Sequence, residues 1–371
     1  MQFELTETQK DIQRAAREFA EKEFDPELAL ELDRERKFPK AIFEKACRLG
    51  FIGIDYPEEY GGQSFGLFEN VLVIEEFTRK DSGIGISLSL ADMGSSIILR
   101  HGSENQKKRF LVPLVQGKSI STVALPDLPG GGNEESSLPS IEPYSEGYIL
   151  NGGKTRIVHG SLASTITVLP KSAALIVERD WEGVKFLGLK KMMGMRISSV
   201  HEVTFDHVKV PKEWVISWER DGTSPLTTYR RVHRIKTAAQ ALGIAQGAFD
   251  QAVKHAKERE QFGKKIIQFQ GIQFMLADLL TSIEAARSLV YRAAHDYDAD
   301  TKGDGELSCM AKLFATDIAV KTAIDSIQIH GGVGLMREYP IERMLRDAKT
   351  IQNLDEPNLV QKALIARKII S

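Results

Sequence analysis

Cysteine is almost missing from this chain. Two occur in 371 residues, Cys47 and Cys309, too far apart to read as a disulfide framework or a zinc spacing. A reducing, cytoplasmic setting is the expectation. Charge of one sign is lacking too: the net charge is -2, so no overall field draws the chain to nucleic acid. No apolar run approaches the ~20 residues needed to span a bilayer, and no membrane insertion is expected. The opening stretch MQFELTETQKDIQRAAREFAEKEF is acidic and amphipathic, without the apolar core of a signal peptide. Histidines such as His201, His207, His233 and His330 form no HExxH or similar pattern, so no metal is expected.

What is present reads as a globular protein. Apolar residues make up 42% and charged residues 27%, a balance that allows an ample core. Residues 1–118 read as helices, with Thr6 an N-cap before a stripe of Ile12, Ala15, Ala16 and Phe19. The character changes near residue 119. STVALPDLPGGGNEESSLPS is rich in Gly, Pro and Ser, and short strand-like pieces follow. In HEVTFDHVKVP the apolar Val203, Phe205, Val208 and Val210 flank a polar Asp206-His207 step. Residues 119–215 are therefore expected to form a compact β unit. From 216 to 371 the chain is helical again, with Ile272, Met275, Leu276, Leu279, Leu280, Ile283 and Val290 on one stripe. The order is helices, strands, helices, an α+β organisation in three segments.

Several motifs have both a plain and a functional reading. The loop ALPDLPGGGNEE could cradle a phosphate with its backbone N–H groups, or be a surface loop. It has neither a P-loop Lys-Ser/Thr nor a G-x-G-x-x-G spacing. HGGVG at 330–334 reads as a helix C-cap and turn. EREQFGKK, which contains Arg259, reads as a solvated charge cluster. Asp355 and Glu356, before Pro357, could simply open the last helix, where acids and Pro are favoured.

Taken together, and in this order, eight segments resemble the acyl-CoA dehydrogenase family over essentially the full length. They are PEEYGG at 57–62, HGSENQKKRFLVPLVQGK at 101–118, the Gly-rich loop at 124–133, NGGKTRIVHG at 151–160, FDHVKVP at 205–211, REQFGKKIIQFQGIQFMLAD at 259–278, QIHGGVG at 328–334 and REYPIERMLRDAK at 337–349. The resemblance implies an N-terminal helical domain, a middle β-barrel-like domain and a C-terminal four-helix bundle. It implies a homotetramer or dimer with FAD across a subunit interface. Acyl-CoA is the implied substrate and an electron-transfer flavoprotein the implied acceptor.

In that family a carboxylate removes the α-proton of an acyl thioester while the β-hydride passes to the flavin. Many members place a Glu for this in a Glu-Gly-Thr sequence before the last helix. Counting without a gap from Arg346-Asp347-Ala348-Lys349 to Ile365-Ala366-Arg367, that position is Asp355. Asp is shorter than Glu by one C–C bond, roughly 1.5 Å. Members acting on alicyclic carboxyl-CoA esters are similar in having Asp there. Glu356, at the family's Gly position, is the rival base. His233 stands at a second base location used by some relatives, and Arg234 matches an Arg beside CoA and base. Asp92, in a segment near the acyl pocket of relatives, is a candidate second carboxylate or an ordinary polar helix residue.

The resemblance to the cofactor site is split. Arg259, Phe262, Gln328 and Gly332 match residues that hold the ADP half of FAD. Leu125, Asp127 and Val158 stand where flavin contacts are expected. Hydroxyl donors are missing at Pro126, Gly132, Val158 and Pro357, each a loss of roughly 0.5–1.5 kcal/mol. Two readings follow from this split. One is an FAD-dependent acyl-CoA dehydrogenase with an unusual, alicyclic or aromatic-derived acyl group. The other is a flavin-poor subunit paired with a paralogous partner. A non-redox acyl-CoA lyase or hydratase is a third.

Overall fold

Helix α1 (Glu7–Glu23) opens where Thr6 predicts it. The Thr6 hydroxyl accepts from the Gln9 N–H at 3.2 Å, and the Gln9 side chain accepts from the Thr6 N–H at 3.0 Å. This reciprocal cap satisfies two N–H groups that the helix cannot. The computed structural model describes residues 4–125, 139–170, 173–216, 224–299, 305–354 and 356–370. Six more helices complete the first segment: α2 (Pro26–Glu35), α3 (Lys40–Arg48), α4 (Leu67–Lys80), α5 (Ser82–Ser89), α6 (Ser95–His101) and α7 (Glu104–Val115). Every residue of α5 is buried, so α5 is central rather than amphipathic.

Strands begin at Ser121. One four-stranded sheet has the order β1 (Ser121–Ala124), β4 (Thr165–Val168), β5 (Ala174–Glu178), β8 (Val215–Ile216), with β1 and β4 parallel. The second is antiparallel, in the order β2 (Ser140–Tyr144), β3 (Gly147–Val158), β7 (Val200–Pro211), β6 (Val184–Leu189). Among the described residues these are two open sheets and not a closed barrel, which refines the barrel-like expectation. Leu150, Ile166, Val168, Leu175, Val203, Phe205, Val208 and Val210 fill one core between them. On β7 the buried positions change parity between Phe205 and Val208. Pairing with β3 jumps from Gly152↔Phe205 to Leu150↔Val208, and His207 takes φ +53°. This is a bulge, and the polar Asp206-His207 step is its sequence mark.

The last segment holds α8 (Pro225–Glu258), α9 (Gln270–Asp298), α10 (Glu306–His330), α11 (Pro340–Ile351) and α12 (Asn358–Ile370). Helix α8 is 34 residues, roughly 51 Å at 1.5 Å per residue. Small side chains let α4 approach it closely. A Cβ on Gly243 would meet Thr78 Oγ1 at 2.0 Å, and one on Gly247 would meet the Arg79 carbonyl at 2.2 Å. The first and last helical segments therefore share one apolar core, from Ala16 to Ile351. Among the described residues no helix is long and apolar enough to cross a membrane.

Candidate active site

Helix α8 is buried almost all round between Val232 and Ala248, yet its chemistry is two-sided. Taking about 100° per residue, the arc through Ile235, Ala238, Ala239 and Leu242 is apolar. The opposite arc runs from Arg234 through Thr237, His233 and Gln240 to Lys236, and all five of these polar side chains are buried. Buried polar groups need partners, so this face is the candidate site.

At one edge of that face, Arg234 Nε donates to Glu356 Oε2 at 2.6 Å and Arg230 Nε pairs with Glu356 Oε1 at 3.0 Å. Gln361 Nε2 adds a bond to Oε2 at 3.2 Å. Both oxygens of Glu356 are thus engaged. The structure brings the sequence candidates Arg234 and Glu356 together as a buried ion pair. The same stretch is held from α10: Lys312 Nζ donates to the carbonyls of Gln352 at 2.8 Å and Glu356 at 2.9 Å, and to Asn358 Oδ1 at 2.8 Å. Asp355 lies outside the described residues.

At the other edge, Lys236 Nζ donates to Asp92 Oδ2 at 2.6 Å. Tyr56 OH lies 3.5 Å from the same oxygen. Asp55, held by Asn70 Nδ2 at 2.7 Å, belongs to this cluster. Burial pushes its carboxyl up, against the pull of Lys236. Burial alone would lower the Lys236 ammonium, but Asp92 and Asp55 outweigh it and hold it above its ordinary value. A cavity of about 20 Å³ beside Ser89, Asp92 and Lys236 has room for one water.

Between the two edges, the His233 ring stacks on Tyr229 at 5.2 Å, and its Nε2 lies 3.4 Å from Thr237 Oγ1. Gln240 Nε2 donates to Ser89 Oγ at 2.8 Å. Among the described residues Gln240 Oε1, Ser87 Oγ and Ser121 Oγ have no partner. Arg230, Lys236, Gln240 and Lys312 were not singled out from the sequence. For the first three the signal was there in YRRVHRIKTAAQALG: hydrophilic residues at helical spacing inside an apolar helix.

The residues matched to the ADP half of a dinucleotide lie at the far end of α8. Arg259 and Phe262 sit on the α8–α9 connection, and Gln328 and Gly332 end α10 and follow it. Ala252 and Ala256 of α8, Leu276 of α9 and Ile329 of α10 form one apolar cluster that brings these turns together. Arg259, Phe262, Gln328 and Gly332 face solvent in the single chain, and Phe262 is 90% exposed. A Cβ on Gly331 or Gly332 would meet nothing within 4 Å, so backbone is open there. A guanidinium, an open glycine backbone and an exposed ring fit a diphosphate and an adenine. Of the flavin-side candidates, Leu125 is half-buried after β1. Val158 is 5% exposed, and its carbonyl accepts from Thr122 Oγ1 at 2.6 Å. Asp127, Pro126 and Gly132 lie outside the described residues. Among the described residues no group of three or more His, Cys, Asp or Glu could hold a metal ion.

Residues 6–118 match the family description "Acyl-CoA dehydrogenase, N-terminal domain", and residues 222–370 match "Acyl-CoA dehydrogenase, C-terminal domain". The chain is 37% identical to a 3-(aryl)acrylate reductase of Clostridium sporogenes, over 99% of each chain. It is 34% identical to the caffeyl-CoA reductase-Etf complex subunit CarC of Acetobacterium woodii, again over 99% of each. The structure of butyryl-CoA dehydrogenase from Megasphaera elsdenii superposes over 100% of both chains with a TM-score of 0.92, at 33% identity. With full-length coverage at these identities, the chain belongs to the acyl-CoA dehydrogenase family.

Proposed function

We propose that this chain is an FAD-dependent oxidoreductase of an aryl- or alicyclic acyl-CoA, with Asp355 as the group that moves the α-proton. The observation that carries the reading is the α11–α12 connection, whose Glu356 side chain is buried. It is pinned by Arg230, Arg234 and Lys312 against the polar face of α8. Of the two adjacent acids there, Glu356 has both oxygens committed to guanidinium groups. That leaves Asp355 as the candidate base.

The α C–H of a thioester is weakly acidic, so its carbonyl must be polarised by donors placed in advance. The base must be shielded from water to be basic enough. Bound FAD would supply the hydride acceptor or donor at the β-carbon, held by Arg259, Phe262, Gln328 and Gly332 at its ADP end. In the direction of dehydrogenation Asp355 takes the α-proton. In the direction of reduction the protonated Asp355 returns it. His233 lies on the face of α8 that an acyl chain would meet. Asp92 stands at the edge of that face as the candidate second carboxylate, paired with Lys236.

The acyl class is supported by the names of two relatives, which reduce 3-(aryl)acrylates and caffeyl-CoA. An electron-transfer flavoprotein as acceptor or donor is supported by the Etf complex of the second. A homodimer or homotetramer is supported by the apolar surface of Phe262, Phe274, Leu335 and Met336, 53–90% exposed in the single chain. One observation favours a flavin-poor subunit with a paralogous partner: Val158 is buried and offers no side-chain donor.

The visible spectrum of the purified protein, before and after denaturation, decides between the two. One FAD per chain supports the dehydrogenase. A colourless protein that FAD does not reconstitute supports the flavin-poor subunit. For the chemistry, Asp355→Asn is expected to lower the rate of flavin bleaching by acyl-CoA about 10³-fold, within the usual span for a general base. Full turnover by that variant would remove Asp355 from the mechanism.

A further inference from the structure

Lys312 is 2% exposed, and burying an ammonium is costly unless its donors are met. Its N–H groups face acceptors that include two carbonyls of the connection between α11 and α12 and the side chain that opens α12. The Gln352 carbonyl lies on one flank of the acidic step, and the Glu356 carbonyl and Asn358 Oδ1 lie on the other, at 2.8, 2.9 and 2.8 Å. Asn358 is in turn braced on α10, where its Nδ2 donates to Thr316 Oγ1 at 2.9 Å and Asp317 Oδ1 at 2.8 Å. The carbonyl of Glu356 and its side chain are thus fixed from different helices, α10 and α8. Among the described residues, 352–357 lie between α11 and α12 and belong to neither.

We infer that Lys312 is a positioning residue. Its ammonium ties both flanks of the chain at 355 to α10, and so sets where the proton-transferring carboxylate is delivered. A tetrahedral donor suits three converging carbonyl-type oxygens, whereas the planar fork of Arg does not. The positioning role rests on the reading of Asp355 as the base, whereas the clamp holds the loop whatever the loop does.

Hydrogen exchange of the whole protein, wild type against Lys312→Met, tests the clamp without reference to activity. Amides at 353–361 are expected to exchange about tenfold faster, with α8 and α9 unchanged. Unchanged protection of 353–361, or equal acceleration everywhere, overturns the inference. Should Lys312→Met fail to fold, Asn358→Ala removes one acceptor and is expected to give a smaller loosening confined to the same amides. Single-turnover bleaching with 3-phenylpropanoyl-CoA then tests the consequence. The rate is expected to fall about 100-fold, with little change in the substrate concentration that gives half the maximal rate and a larger isotope effect from α-deuteration. A lower rate without a larger isotope effect would make Lys312 merely structural. A wild type that this probe does not bleach counts against the proposed substrate class, and the exchange pattern still decides the clamp.

Discussion

Two carboxylates meet cations from the same helix, two residues apart, and their surroundings are opposite in sign. Glu356 faces two guanidinium groups, Arg230 and Arg234, with the Lys312 ammonium on its carbonyl. Asp92 shares a single cation, Lys236, with Asp55. One edge of the polar face of α8 therefore has more cations than described acids, and the other has more acids than cations. The first is suited to keep a neighbouring carboxylate ionised and to stabilise negative charge that develops on a thioester oxygen. The second commits its Lys236 ammonium to Asp92 and Asp55. This asymmetry supports the proposal of proton abstraction at the Arg edge, with Asp92 first of all a partner for Lys236.

The largest expected effect breaks the acid-rich edge. Lys236→Met would take from Asp55 and Asp92 the cation that acts on both, and removing one partner of a buried pair costs about 3–5 kcal/mol. Urea unfolding measures it, and a loss under ~1 kcal/mol would mean that water already screens the pair. Asp92→Asn sharpens the point, because Lys236 keeps Asp55 beside it. A large fall in turnover with little loss of stability would return Asp92 to the chemistry as a second base. A loss of stability with turnover intact would leave it structural.

At the cation-rich edge, Arg234→Met is expected to cost less, about 2 kcal/mol. Arg230 still holds Glu356 Oε1 at 3.0 Å and Gln361 still reaches Oε2 at 3.2 Å. Equal losses for Arg234→Met and Lys236→Met in the same unfolding series would abolish the distinction between the edges.

The sequence made much of this legible, for physical reasons that differ by region. Thr6, the stripe on α9 and the parity change at Asp206-His207 could be read because caps, helical spacing and strand alternation are local. The acidic step at 355–356 and Arg234 could be picked out through the resemblance. Their pairing could not, since Arg234 and Glu356 come from elements more than a hundred residues apart. Lys312 was invisible for the same reason, because a lysine inside a helix reads as solvated until packing buries it. The two sheets read as barrel-like because alternation reports which face is buried and says nothing of closure. Asp355, the residue the resemblance singles out, falls outside the described residues, and its proposed role rests on that resemblance and on what holds its neighbours.

A third buried carboxylate calibrates both edges, because no cation bonds to it directly. Asp347 is fully buried on α11. Its oxygens accept from Ser82 Oγ at 2.6 Å and the Met195 N–H at 2.7 Å, while the nearby Arg343 is spent on Asp81. Burial pushes its carboxyl up to about 6, against these hydrogen bonds. The folded chain then holds a proton that the unfolded chain, near the ordinary value of about 3.9, has released. Between those two values the unfolded state binds fewer protons, so this group makes stability fall as pH rises, by at most about 1.4 kcal/mol per pH unit. His159 acts in the opposite sense. Burial lowers it to about 4, so its contribution is lost as pH falls from about 6.5 toward that value. In the wild type the two slopes offset. Asp347→Asn should therefore gain on the wild type in urea unfolding between pH 4 and 6, and leave a stability that rises with pH. A constant gap between the two proteins across that range would mean that hydrogen bonds alone keep a buried carboxylate ionised here. The arginines around Glu356 would then be needed for position rather than for charge.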